Sequence, residues 1–509
     1  MKKVANILIT AYMLLLFVVY PFYMKDGYVE IGNAKFSFWL RISLSAVLLL
    51  LPFFITELVR KWKKKQLHFE PVDLWILVFA ALQIVTLILS VDHKEAFLGT
   101  EGWNMGFMLY VFLCLLYLMI RLLWQPDKVV LCLALLSAGV VFFLGILDRF
   151  SIHLISLDIR NPGFLSTLGN INWFTGYLVI FTSVSAAWFL LAGKSWAKSC
   201  NLKIEMGIQA LCAVITFLGF SAGFAQGSSS VFLFFGALFA VLLGIAAGSR
   251  QKMTRLMILW GMWCLSAQLV RLMRVLIPDG YLYDTDNLCG YFTGGGMTIV
   301  LLIVGELFLA AIWILLGDHK KVSKWIRVGL LILSGLLAIG VAVTLFYAFI
   351  CVSNGMDLTE LPGWLFWAND SWGNGRGMIY RATMLILTEM TPLQWLVGVG
   401  QDCFSVYAYS VSEVAQELVQ YFGDDRLTNA HNELLTMLIN QGLAGIVSYL
   451  GIFAAYIRQT MRQTRNPISM SIAVAAVCYL VHNMVSFANV LNLPFLIILL
   501  AIGTKWCKM

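Results

Sequence analysis

The chain has 509 residues, of which 60% are hydrophobic and only 12% charged; its formal net charge is +8 and its mean hydropathy +0.84. A soluble protein of this length needs about twice that charged share to cover its surfaces, so a soluble enzyme, a nucleic-acid binder and a disordered scaffold are all excluded. The basic residues sit in short bursts between apolar runs, which is the pattern of membrane topology and not of a nucleic-acid surface.

A hydrocarbon core of about 30 Å takes roughly 20 apolar residues as helix. In chain order, fourteen candidate spans follow: 4–23, 36–59, 72–91, 105–123, 129–149, 171–192, 206–225, 231–248, 256–277, 297–316, 328–351, 431–457, 468–488 and the short 491–506. With the N-terminus in the cytoplasm, the inside segments hold 24 of the 35 basic residues and the outside segments eight, while Arg41, Arg271 and Arg274 lie within spans. That bias predicts both termini in the cytoplasm. The first span lacks a small-residue cleavage site and reads as a retained helix. The ten cysteines show no CxxC and no metal spacing. Even Cys289 and Cys403, both outside, read as small apolar side chains and not as a pair.

The spans divide the chain into 1–351 with eleven helices, an extracytoplasmic loop over 352–430, and 431–509 with three more. A loop this long is expected to carry short helices of its own. One is predicted over 380–394, opened by the Gly-rich stretch Gly373-Asn374-Gly375-Arg376-Gly377 and closed near Pro392. Another is predicted over 411–422. The cytoplasmic loops are short basic tethers without a phosphate-cradling glycine pattern, so chemistry is expected outside.

The large loop has nine acids against three arginines and no lysine. Arg376, between two glycines at a predicted helix start, combines a guanidinium fork with free backbone N–H groups. That suits a phosphate or diphosphate. A structural ion pair, for instance with Asp370, explains it equally. For Arg381 the structural role is favoured. His431 is predicted in the first turn of its span, capped by Asn429. The helix terminus disfavours the imidazolium there, leaving a neutral base; a boundary histidine is the plain alternative. Glu433 is close enough in sequence to orient it or compete with it. His482 and Asn483 read first as an interhelical hydrogen bond, and Asn170 and Asn172 as helix caps. The turn Gln226-Gly227-Ser228-Ser229-Ser230 offers hydrogen-bond donors to a polar ligand. Arg271 and Arg274 could hold a lipid phosphate or pair with Glu306.

Gly375-Arg376-Gly377-Met378-Ile379-Tyr380-Arg381-Ala382, Pro392 and Gly398-Val399-Gly400 followed by Phe404 resemble the large-loop signature of the bacterial O-antigen ligase/polymerase superfamily. Asn429-Ala430-His431-Asn432-Glu433-Leu434-Leu435 and Gly442-Leu443-Ala444-Gly445 resemble its second half. The start Gly169-Asn170-Ile171-Asn172 and His482 are similar to weaker features. The strong likeness covers about 375–450.

The resemblance implies an all-α polytopic membrane protein, a GT-C-like glycosyltransferase of the bacterial cell membrane with about 14 transmembrane helices. It would move a glycan from undecaprenyl diphosphate to a hydroxyl acceptor on the outer face, without metal, cofactor or nucleotide sugar. The acceptor would be a glycan, a lipid or a wall polymer, and the polymerase activity is slightly favoured over the ligase. By the same resemblance His431 is the base. Arg376, Arg381, Arg274, Asn432, Glu433 and His482 fall to substrate binding. Many members carry a Ser-Arg pair at the turn before span 8; this chain has Ser228-Ser229-Ser230 there. Arg274 or Arg381 would then substitute, or the diphosphate is held differently. A lipid-linked oligosaccharide flippase or secondary transporter is the reading from another class. Internal repeats and broken helices would mark it.

Overall fold

The computed structural model describes residues 2–157, 161, 163–192, 202–247, 249–281, 288–315, 320–356, 370, 372–423, 425–463 and 466–507, with only the backbone at parts of 320–345 and at 372–374. Arg160, Lys194, Lys198, Arg465, Lys508, Asp357, Glu360 and Asp424, counted in the charge pattern above, lie outside the described residues.

The chain is helical almost throughout. α1 (Lys2–Leu14) runs on through a π turn (Leu15–Val19) and a 3-10 turn (Tyr20–Phe22). α2 (Ile31–Lys63), α3 (Pro71–Ile88), the short α4 (His93–Leu98), α5 (Phe107–Leu123) and α6 (Lys128–Arg149) follow. β1 (Phe164–Leu165) and β2 (Gly169–Asn170) form a minimal antiparallel pair, with Phe164 opposite Asn170. Then come α7 (Ile171–Leu191), α8 (Leu202–Ala225), α9 (Val231–Ala246), α10 (Arg250–Leu276), the short α11 (Leu288–Gly294), α12 (Met297–Leu315) and α13 (Lys320–Ser353). The large loop carries α14 (Trp372–Glu389), α15 (Pro392–Val397), α16 (Phe404–Ala408) and α17 (Ser412–Phe422). α18 (Glu433–Gln463), α19 (Pro467–His482) and α20 (Leu493–Trp506) close the chain.

Several starts are set by side chains that accept the orphan N–H groups of the first turn. Asp127 caps α6, Asn170 caps α7 through Asn172 N, Ser249 caps α10 and Asn466 caps α19. α3 opens with Pro71 inside a Glu70–Asp73 capping box.

Nine described helices are long and apolar enough to cross a membrane: α1 with its continuation, α2, α3, α6, α7, α8, α10, α12 and α18. The chain is thus an all-α membrane protein. α5, α9, α19 and α20 are apolar but shorter. At 1.5 Å per residue, α20 reaches only about 21 Å against a core of about 30 Å. α7 is the centre, buried over 94% of its apolar window and packed against α19 and α8. α12 and α2 lie at the rim, with Leu48, Leu49, Leu307 and Phe308 exposed.

α18 is broken. Gly442 has φ +65° and ψ −171°, so the helix ladder stops there. The carbonyls of Ile439 and Asn440 accept instead from the N–H groups of Val399 (2.9 Å) and Gly400 (3.0 Å). On its other side the same segment is tied to the end of α3. Thr86 donates to the Val397 carbonyl (3.2 Å), the Gln401 amide to the Gln83 carbonyl (2.6 Å), and Val91 N to the Val399 carbonyl (2.8 Å). Gln83 also donates to Gln441 (2.9 Å). Irregular backbone beside a membrane helix is stable only when its polar groups are paired in this way.

Two expectations for the large loop are corrected. The helix predicted over 380–394 is two helices. α14 already begins at Trp372, so the Gly-rich stretch lies within its first turns, with a left-handed break at Gly375 (φ +85°) just before Arg376. Pro392 does not close that helix but opens α15, where Thr391 and Gln394 form a capping box around a proline that needs no donated N–H. α17 matches the helix predicted over 411–422 within a residue.

Candidate functional site

The segment before α18 departs from expectation in a way that shapes the site. His431 is not in the first turn; it precedes the helix in the left-handed region, at φ +46°. Asn429 does not cap the helix. Its Oδ1 accepts from His431 N at 2.9 Å, closing a local turn that turns the chain back. The cap is Asn432, whose Oδ1 accepts from Leu435 N at 3.1 Å.

Opposite lies the irregular turn that follows α19, and its successive groups carry the site. The Asn483 carbonyl accepts from Glu433 N (2.9 Å), that of Met484 from Asn432 Nδ2 (2.8 Å), and that of Val485 from Arg376 Nη2 (3.0 Å). The Phe487 ring lies against the His431 imidazole, tilted by 60° with centroids 5.2 Å apart. Arg376, from the loop, and His431, Asn432 and Glu433, from the head of α18, are therefore mounted on one turn, with His482 at its start. Five of the seven sequence-predicted residues come together.

Glu433 does not orient His431. It is buried, and its carboxylate accepts hydrogen bonds from Tyr449 and from Asn483 Nδ2, inside the bundle. The first residue of α18 points inward, and its carboxyl is used there.

The other two arginines lie apart. Arg381 pairs with Asp370 (3.2 Å) and Glu417 (3.5 Å), so the ion pair considered for Arg376 belongs to Arg381. Arg381 also lines a separate cavity of ≈ 640 Å³ with Glu413, Glu417 and Trp395. Arg274 donates to Thr293 (2.8 Å) and lies over the Tyr281 ring. Neither Arg274 nor Arg271 pairs with Glu306; Arg271 meets Gln268 and the Gly295 carbonyl instead. At the turn before α9, the nearby arginine is one that sequence reasoning did not single out. Arg149, at the end of α6, is buried and donates to the Gln226 carbonyl at 2.8 Å. Cys289 and Cys403 are both free.

Burial and the Arg376 guanidinium both resist a second positive charge, and His431 is held down to about 3. It is therefore the neutral imidazole at ordinary pH, as a base requires. Next to it a small cavity of ≈ 30 Å³, room for about two waters, is lined by Trp103, Asp402, Asn429, Glu433, Asn440 and Phe487. Asp402 accepts from Thr100 N (2.8 Å) and Met105 N (2.9 Å), but burial prevails and pushes its carboxyl up to about 7. An apolar groove of ≈ 180 Å³ lined by Leu434, Leu450, Leu480, Val481 and Met484 runs up to Glu433 and Asn483.

Sequence reasoning missed the platform. Met484 and Val485 contribute only carbonyls, which leave no trace in side-chain identity. The available signal was the run His482-Asn483-Met484-Val485-Ser486-Phe487-Ala488-Asn489, unusually polar for the end of an apolar span. No family model and no curated protein matches this chain.

Proposed function

We propose that the chain is a glycosyltransferase of the O-antigen ligase/polymerase type, moving a glycan from undecaprenyl diphosphate to a hydroxyl acceptor. In this reading all fourteen apolar segments cross a bacterial cell membrane in a GT-C-like arrangement, both termini are cytoplasmic, and the site faces outwards. The carrying observation is the shared turn: a guanidinium and a neutral imidazole, far apart in sequence, meet it at the Val485 carbonyl and at the Phe487 ring.

The lipid of the donor would lie along the apolar groove that ends at Glu433 and Asn483, with its diphosphate at Arg376. The acceptor hydroxyl attacks the anomeric carbon and its proton passes to His431. The bond from that carbon to the diphosphate oxygen breaks, with the electron pair leaving on the diphosphate. Arg376 binds that oxygen more strongly as charge grows on it. One displacement inverts the anomeric configuration. Polymerase is favoured over ligase, and the acceptor is then another lipid-linked glycan.

Binding and transfer separate the roles. His431→Gln is expected to bind the lipid-linked donor normally and to lose about 100-fold or more in transfer rate. Arg376→Met is expected to weaken donor binding as well. Full transfer by a folded His431→Gln would end the assignment of the base.

One observation favours the other class. The break of α18 at Gly442 is a feature of transporters, whose sites use interrupted helices. A labelled donor that changes leaflet without being extended would establish a flippase.

A further inference from the structure

His482 ends α19 and is fully buried. Its Nδ1 lies 3.0 Å from Asn483 Oδ1, and its Nε2 has no hydrogen-bond partner among the described residues. The Asn483 amide has one favourable orientation. Its far end meets the Glu433 carboxyl, which in its ionised form only accepts hydrogen bonds, so Nδ2 faces Glu433 whenever that group carries its charge. A flipped amide would set oxygen against oxygen. Oδ1 must then face His482, and an amide oxygen only accepts. The imidazole proton is therefore on Nδ1, and Nε2 carries the lone pair. A catalytic imidazole is commonly held in this way, its Nδ1–H on a fixed oxygen and its Nε2 free to accept. His431 has no such support: its buried Nδ1 has no partner among the described residues.

We propose that Asn483 is a positioning residue of the site, which, fixed by Glu433, holds His482 as the Nδ1–H tautomer and presents Nε2 as a buried acceptor for a hydroxyl group. The kinetic part of this rests on the transferase reading; the tautomer does not.

The test is nitrogen-15 NMR of the full-length protein labelled at histidine, with the His482 signals assigned by their loss in His482→Gln. In the wild type, Nδ1 is expected to be protonated and Nε2 not. In Asn483→Leu the preference is expected to disappear and kcat for glycan transfer to fall about 100-fold, since the orientation of the imidazole is lost. Asn483→Asp keeps an oxygen for Nδ1 and is expected to keep the tautomer, whatever it does to thermal stability. Should Asn483→Leu fail to fold, Glu433→Gln serves: its amide fits either orientation of Asn483, and mixed tautomers are expected.

An Nε2–H form in the wild type, or an unaltered tautomer in both Asn483→Leu and Glu433→Gln, overturns the proposal, as does unchanged kcat in Asn483→Leu. The expected tautomers in a protein that transfers no glycan would instead remove the transferase reading and leave Asn483 as the residue that sets the imidazole.

Discussion

At the scale of single residues, the half-buried His431 and the buried Asp402 give opposite pH signatures. His431 resists protonation down to about 3 in the folded chain, whereas an unfolded histidine takes its proton near 6.5. The unfolded state binds more protons below that value, so this group costs stability as pH falls, about 2 kcal/mol at pH 5. His431→Gln should lessen the acid loss in a thermal unfolding series. The transfer rate should show no acid limb near pH 6.5 attributable to this base. Asp402 runs the other way. Its carboxyl titrates near 7 when folded and near 3.9 when unfolded. The folded state holds the extra proton between, so stability falls as pH rises through that window. Asp402→Asn keeps an oxygen for Thr100 N and Met105 N, and asparagine tolerates the left-handed backbone at φ +56°. It should abolish the loss over that window. An unchanged pH slope in Asp402→Asn would contradict the burial argument. Arg376 and Arg381 should part company as well. Arg381→Met breaks the Asp370 and Glu417 pairs and should lower stability, leaving donor binding within about twofold because the side chain stands off the site. Arg376→Met should do the reverse.

At the scale of elements, the break of α18 and the segment at 397–401 form one joint. Gly398 and Gly442 both have positive φ, and a Cβ on either would collide with the backbone of the other element. Gly398→Ala or Gly442→Ala should cost about 3 kcal/mol or more, by collision and by backbone strain together, read as a lowered unfolding temperature in detergent. A stability loss below about 1 kcal/mol would mean that the joint is loose. This joint also marks the limit of what the sequence discloses. Each of the fourteen apolar segments coincides with a helix because hydropathy over about 20 residues is a local property. The break of α18, the early start of α14 and the left-handed His431 are set by partners distant in the chain: Val399, Gly400 and the turn after α19. The Gly-Val-Gly and His-Asn motifs lie on the two sides of this joint. They gave no sign that one motif fills the broken ladder of the other's helix, or that Asn432 and not Asn429 caps it. Arg376, His431, Asn432, Glu433 and His482 were singled out by residue type and position; Asn483 was read only as a structural bond, and Arg149 only as a basic residue outside.

At the scale of the whole molecule, the proposed function requires the head of α18 and the large loop on one side of the membrane and both termini on the other. Single cysteines at Thr428 and at Lys3, in a background with the other cysteines replaced, should react with an impermeant reagent from opposite faces of sealed vesicles. Labelling from the same face would remove the outward site. In the proposed function this membrane protein makes a glycosidic bond at Arg376 and His431. The most direct measurement supplies reconstituted protein with short undecaprenyl-diphosphate repeat units and follows their length, with His431→Ala alongside. A ladder of longer lipid-linked glycans that disappears in the folded variant is the predicted result. An equal ladder in wild type and variant would contradict the assigned base. Donor that crosses to the opposite leaflet unextended would contradict transfer itself.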